Sequence, residues 1–273
     1  MDSATLTRRR GGVEILKSRL LGGVEGLTHG FTGRAGGVGR ESYGALNLSH
    51  GVGEDRGVVV ENRRFAAAAL GFPFGAMTLA RQVHGNRIAL VQDQDRGRGR
   101  LDPEDAMPDA DGLMTRISGI ALGVQTADCA PILIADPVRK VCAAVHAGWR
   151  GLALRVVEAA VAALSESFES SPSELLAAIG PAIGPCCYEV GPDLIEKVDK
   201  GVPSLKNRLR VGPSGRGFFD VPGAAKDQLL RAGVPESSVE DLGLCTAGAV
   251  GRVYSRRVEG PESGRGMAVI LWK

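Results

Sequence analysis

Short apolar runs bounded by glycine, proline and charged residues recur along the chain, and their spacing sets the predicted elements. VEILKSRL (13–20), GLTHGFTG (26–33), MTLARQVHG (77–85), NRIALVQ (86–92) and SGIALGVQTAD (118–128) read as strands, the third and fourth around a turn at Gly85-Asn86. PILIAD (131–136) and KVCAAVHAG (140–148) are continuous apolar runs split by Pro137 in a polar break, which reads as a hairpin. Helical spacing marks 56–71, which ends at a glycine as C-terminal capping favours. It also marks 151–169, where Leu152, Val156, Ala160 and Leu164 fall on one face. PDLIEKV (192–198) and GAAKDQLLRAG (223–233) read as shorter helices, and RVYSRR (252–257) and GMAVILWK (266–273) as closing strands. A glycine-rich loop at 33–49, a polar loop or lid at 93–111 and the loop GPAIGPCCYEVG (180–191) lie between them. With no repeat of solenoid length and no linker, the pattern predicts one α+β domain over 1–273, its residues 1–12 a poorly ordered extension.

Composition narrows the class. Glycine supplies 39 of 273 residues, well above the usual ~7%, which fits many tight turns rather than a collagen or disordered chain. A net charge of +2 gives no global field for nucleic acid or an anionic membrane. Arg8, Arg9 and Arg10, and DRGRGRLD (95–102), are local basic spots that read as solvated. No apolar run reaches the ~18 residues of a membrane span. No apolar signal segment follows Met1, so a cytoplasmic location is expected. Five cysteines without framework spacing then read as core residues, metal ligands or nucleophiles rather than disulfides.

The hairpin carries the first chemical candidate. Centring its turn on 137–138 makes paired residue numbers sum to about 275, which sets Cys129 opposite His146. A metal with Zn–S of about 2.3 Å and Zn–N of about 2.0–2.1 Å fits between such side chains. A register slip of one would put them on opposite faces, and the pattern alone leaves the register open. Taken singly, a cysteine here is as well a small core hydrophobe, and the histidine a cap for the helix behind it. Only His29, His50, His84 and His146 are available as imidazoles, and His84 on the turn after Arg81-Gln82-Val83 is the attractive third ligand.

Together RQVHG (81–85), TADCAPILIAD (126–136), AVHAGWRGL (144–152), IGPAIGPCCYEVG (179–191) and the early GRAGGVGRESYGALNL (33–48) resemble the laccase-domain, or multicopper polyphenol oxidase, family. Its members are described as purine nucleoside phosphorylases with adenosine deaminase activity. The resemblance runs from about Phe31 to Trp272, five motifs in the family's order. It implies a single-domain α-β-β-α sandwich with mixed sheets. The implied metal ligands are His84, Cys129 and His146, and the implied metal is zinc, with copper as the other occupant suggested by the family name. The implied reaction is cleavage of adenosine, inosine or methylthioadenosine by phosphate to free base and ribose 1-phosphate, with deamination of adenosine beside it. Two departures stand out. His50 lies one place before the family's histidine position, which Gly51 fills, and the family's terminal aromatic pattern is thinned to VYSRRV (253–258).

Each half of that chemistry asks for further groups. Three protein ligands leave a zinc position open, as catalytic sites need, and deamination needs a proton carrier, for which Asp128 is the candidate. The other reading of Asp128 is a turn former ahead of the strand. Phosphorolysis needs donors for phosphate, and Arg34 in the glycine-rich loop is the candidate catalytic guanidinium. Asn47 and Gln82 carry amides suited to a hydroxyl or a base edge. Tyr188 is a candidate stacking partner for the base or a wall residue, and Arg150 a phosphate contact or a structural ion pair. Adjacent Cys186 and Cys187 are expected to diverge and, with Cys142 and Cys245, to pack in the core. The rival functions are a copper-dependent polyphenol oxidoreductase, a metal-free Cys129/His146 hydrolase and a non-enzymatic binding module. The expected partners are purine nucleosides and phosphate, with no nucleic acid and no membrane.

Overall fold

The computed structural model describes residues 4–8, 12–40, 43, 45–213 and 215–273. The strands in chain order are β1 (Ala4–Arg8), β2 (Glu14–Ser18), β3 (Leu27–Thr32), β4 (Met77–Leu79), β5 (Ile88–Leu90), β6 (Gly112–Thr115), β7 (Ala121–Thr126) and β8 (Ala130–Asp136). Then follow β9 (Val141–Ala147), β10 (Leu176–Ile179), β11 (Glu189–Val190), β12 (Leu209–Val211), β13 (Gly217–Phe219), β14 (Val239–Asp241) and β15 (Gly266–Trp272). The helices are α1 (Arg19–Gly22), α2 (Arg56–Leu70), α3 (Trp149–Ala153), α4 (Val156–Phe168), α5 (Pro192–Gly201), α6 (Val221–Arg231) and α7 (Arg256–Glu259).

Two six-stranded mixed sheets, β1-β2-β3-β15-β7-β4 and β14-β10-β8-β9-β6-β5, stack face to face, with a small β11-β13-β12 sheet beside them. Apolar side chains of both large sheets, among them Phe31, Leu122, Leu133, Ala144 and Ile270, fill the layer between. The outer face of the first sheet is covered by Ala66, Ala67 and Leu70 of α2 against Val269 and Leu271. The outer face of the second is covered by Val157, Ala160 and Leu164 of α4 and Leu229 of α6 against Ile132, Ile134 and Val145. The result is an α-β-β-α sandwich. It explains why the runs in β8 and β15 are unbroken: strands covered on both faces have no solvent side to mark with polar residues.

Where the structure departs from the pattern, the cause is tertiary. Ala4–Arg8, expected within the poorly ordered extension, pairs with β2, Ala4 against Ser18; residues 1–3 and 9–11 lie outside the described residues. The helix expected over 151–169 is two helices, broken at Arg155 with φ 59°. Gln228 holds the break from 71 or more residues away: its Oε1 accepts from the Val157 N–H and its Nε2 donates to the Leu152 carbonyl. RVYSRR is not a strand. Ser255 caps α7, and its N–H donates to Glu259 Oε2 at 3.0 Å, so the segment turns helical. The segments expected as strands around Gly85-Asn86 do not pair, because β4 joins β7 in the first sheet and β5 joins β6 in the second. No helix among the described residues is long and apolar enough to cross a membrane.

Candidate metal centre

The chain passes from the first sheet to the second twice at the same end of the sandwich. His84 lies in one crossing, between β4 and β5, and Cys129 in the other, between β7 and β8. His146 sits near the end of β9. The β8–β9 ladder pairs Pro131 with His146 and Ala130 with Ala147, so Cys129 lies one residue beyond the ladder rather than directly opposite His146. That register differs by two from the expected one. A shift of two preserves the face, and Cys129 and His146 still point to the same side.

The ligand atoms of His84, Cys129 and His146 all lie within 4.8 Å of one another. Cys129 Sγ is 4.0 Å from His84 Nε2, and the two imidazoles meet edge to face with centroids 4.8 Å apart. Behind them stands Asp111, fully buried. Its Oδ1 is 2.8 Å from His146 Nδ1, which leaves Nε2 as the free ring nitrogen of His146. The same carboxylate accepts the backbone N–H groups of Val83, His84 and Gly85 at 3.1, 2.9 and 2.7 Å. One side chain thus orients one imidazole and pins the turn that carries the other. That turn holds His84 at φ 60°, and Asp128, just before Cys129, is at φ 85°; both are uncommon for residues with a side chain.

Burial pushes the Cys129 thiol up, but His146 and His84 beside it prevail and bring it down to about 6. Burial lowers His146, but the Cys129 thiolate and Asp111 outweigh it and carry it to about 9. A thiolate against two imidazoles, one held by a carboxylate, is a donor set suited to a divalent metal of borderline softness. Gly148 completes the fit: a Cβ there would lie 2.8 Å from Cys129 Sγ and 3.2 Å from His84 Cδ2, so only glycine leaves the three ligands room.

The cluster opens on a cavity of about 680 Å³, within the range of small-molecule sites. Of the other expected site residues, Asp128 and Gln82 line it, whereas Arg34 and Asn47 do not. Asp128 accepts from Thr246 Oγ1 at 2.6 Å, Ser255 Oγ at 2.7 Å and the Arg257 N–H at 2.7 Å. Three donors make it a tie between loops, which favours the turn-forming reading over the proton carrier. Arg34 is directed away into an ion pair with Glu259 at 2.7 Å, the Val250 carbonyl and the face of Tyr254. Asn47 is fully buried, its amide donating to Ser49 O and Glu54 Oε2 and accepting from the N–H groups of Ser49 and Arg265. The Gln82 amide makes a reciprocal pair with the backbone of Gln125, at 2.9 and 2.8 Å. Tyr188 lines the cavity with Arg257 over its ring at 4.8 Å, so one of its faces is already covered.

The sequence reading missed Asp111, Gly148, Arg63, Arg256 and Arg265, and it left Arg150 between a phosphate contact and a structural ion pair. Arg63, Arg150, Arg256 and Arg265 line the cavity and form no ion pair among the described residues. Arg63 is buried and donates to the carbonyls of Leu48, Gly99 and Arg100. Arg150 lies over Trp149. Burial and then nearby Arg256 lower Arg265. Asp111 in PDADGL carries no local mark that separates a buried carboxylate from a loop former.

A family model described as multi-copper polyphenol oxidoreductase laccase matches residues 28–273. A purine nucleoside phosphorylase, YlmD, of Geobacillus stearothermophilus is 36% identical over 246 residues, 90% of each chain. An adenosine deaminase, RL5, of an unknown prokaryotic organism is 32% identical over 254 residues, 93% of this chain and 97% of its own. The crystal structure of YlmD from Geobacillus stearothermophilus superposes with a TM-score of 0.92 at 33% identity, covering the whole of both chains. With the model matching residues 28–273 of this chain and these relatives aligned over nine-tenths or more of it, the chain belongs to the multi-copper polyphenol oxidoreductase laccase family.

Proposed function

We propose that the protein is a zinc-dependent purine nucleoside phosphorylase that cleaves adenosine or inosine, and methylthioadenosine as a related substrate, with adenosine deamination as a side activity. The carrying observation is that one cavity joins a His84/Cys129/His146 cluster to several guanidinium groups that form no ion pair among the described residues. A nucleoside and a phosphate are what such a cavity would bring together. Arg150 and Arg256 supply guanidinium donors for the phosphate, while Arg63 and Arg265, whose N–H groups are taken by backbone carbonyls, add positive charge to the cavity; the sequence had suggested the donor role for Arg34 and weighed it for Arg150. The names of the relatives YlmD and RL5 support both halves of the reading. Zinc, held by His84, Cys129 and His146, would supply a Lewis acid at the cavity wall. Asp111 keeps the His146 ring oriented and the His84 turn closed, and Asp128 holds Thr246, Ser255 and Arg257 in place around the cavity.

Laccase chemistry asks for one mononuclear and one trinuclear copper site with many histidine ligands. The chain has four histidines, and His29 is buried away from the cavity, its Nε2 accepting from the Ser18 N–H. A metal-free hydrolase has one observation in its favour: Cys129, His146 and Asp111 stand in the order nucleophile, base and orienter. The second imidazole packed against them favours a metal instead.

The test is product analysis with purified, metal-analysed protein and adenosine, with and without phosphate. Phosphate-dependent adenine and ribose 1-phosphate are expected, lost in Cys129→Ala. Inosine formed without phosphate would make deamination the main reaction. Neither product from folded, zinc-loaded protein would overturn the reading, and activity that survives strict chelation would favour the hydrolase.

A further inference from the structure

A second sulfur cluster lies outside the site just described. Cys186, Cys187 and Cys245 bring their Sγ atoms within 4.8 Å of one another. Adjacent Cys186 and Cys187 do not diverge as expected: their sulfurs are 3.3 Å apart. The cause is a tight turn, in which the N–H groups of Cys187 and Tyr188 both donate to the Gly184 carbonyl at 3.0 Å. Neighbouring side chains point to opposite sides in a strand but not in such a turn. Cys245 arrives from the segment after β14, where Ala182 and Cys245 bridge. Of the four cysteines expected in the core, Cys142 is fully buried, Cys187 and Cys245 are partly buried and pack against the core, and Cys186 is exposed.

We propose that these three cysteines form a second metal site, for a thiophilic cation such as Zn²⁺ or Cu⁺, distinct from the His84/Cys129/His146 cluster. Three thiolates about 2.3 Å from a common ion lie about 3.8–4.0 Å apart, so the observed cluster needs only small side-chain rotations to close on one. Thiolate donors select soft ions, and the exposed Cys186 side lets solvent fill a fourth position for zinc or leaves a three-coordinate site for copper. The Gly184 N–H donates to Cys245 Sγ at 3.3 Å, which marks Cys245 as the first thiolate. A cation that binds here displaces the thiol protons, which leave to solvent.

The site would fasten a loop that matters to the cavity. Ile183 and Tyr188, either side of the turn, line the cavity, and the Ile183 N–H donates to the Asp128 carbonyl at 2.8 Å. Thr246, next to Cys245, donates to the Asp128 carboxylate. A metal here therefore ties together the two segments that brace the residue preceding Cys129.

Metal titration of the reduced, full-length protein tests this, with Zn²⁺ and Cu⁺ in separate arms against chromophoric competitors. Two equivalents are expected in the wild type. Cys129→Ala should keep one, and Cys186→Ser should weaken the other by at least the roughly 10–100-fold that loss of an outer-shell partner costs. Substitution with Co²⁺ gives an independent signature, because sulfur-to-metal charge transfer should be stronger from three thiolates than from the single thiolate of Cys129. The variant Cys186→Ser alters only the exposed member, so the fold is retained. One equivalent in the wild type, lost completely in Cys129→Ala, would overturn the proposal. So would two equivalents of undiminished affinity in Cys186→Ser. These outcomes are read without enzymatic activity, so the proposal stands or fails apart from the nucleoside reading.

Discussion

The corner that holds His84, Cys129 and His146 and the glycine-rich loop at 33–49 both carried candidate chemistry, and folding treats them differently. In the corner, Asp111 satisfies one ring nitrogen of His146 and the backbone around His84, and leaves three donor atoms facing one another. In the loop, Arg34 and Asn47 have their polar atoms engaged by Glu259, Val250, Ser49, Glu54 and Arg265. Residue type is equally suggestive in both places. What separates them is whether the protein itself has already supplied the partners: a group fully paired by the fold has little left to offer a ligand.

The largest expected effect breaks the corner. Cys129→Ala should abolish zinc binding at the triad and lower phosphorolysis by about 10³-fold, the several kcal/mol a Lewis acid provides. Metal analysis and single-turnover rates check it, and full activity in metal-free protein would remove the distinction between the two regions.

Acid should act next, on the scaffold that feeds the loop. His29 lies in β3, which runs into Gly33, and is buried with its Nε2 accepting from the Ser18 N–H. Burial, and then Lys17, lower it from 6.5 to about 4. Between those values the unfolded chain binds the proton and the folded chain does not. Stability is therefore complete above about 6.5 and is lost as pH falls through the window, by about 3 kcal/mol in all. Urea unfolding near neutral pH and at about pH 4.5 measures it; an equal acid loss in His29→Gln would assign the effect to other groups.

Asp111→Asn should sharpen the contrast, because it keeps the shape of the corner but weakens its hold on His146. Zinc affinity should drop about 10–100-fold while the fold persists. An unchanged affinity in competition titrations would show that the carboxylate serves the turn alone.

The smallest effect belongs to the loop. Arg34→Ala should lower stability by about 1–2 kcal/mol through the lost ion pair, carbonyl contact and ring contact, and leave the KM for phosphate close to that of the wild type. A large rise in that KM at unchanged stability would return Arg34 to the phosphate site.

Much of this was legible in the chain. The apolar runs of β8, β9 and β15 were legible as strands, and parity alone put Cys129 and His146 on one side even with the register misplaced by two. Such features depend on local periodicity, which a sequence displays directly. The break at Arg155 was not legible, because Gln228, which holds it, is remote in sequence. The short strands β11 to β14 are of two or three residues and too brief to show a period.

By itself, then, the sequence determined a mixed α+β domain through its periodicity, and through five motifs in a fixed order the family resemblance, which in turn implied the sandwich and the grouping of His84, Cys129 and His146. Only the tertiary structure decided which polar groups remain open. It closed Arg34, Asn47 and Gln82 with partners from distant segments. It placed Asp111 behind His146, cleared space at Gly148, and turned Arg150 and Arg256, which form no ion pair among the described residues, toward the cavity. The physical reason is that a hydrogen bond or an ion pair is a property of two sites, and the chain records each partner without recording the pair.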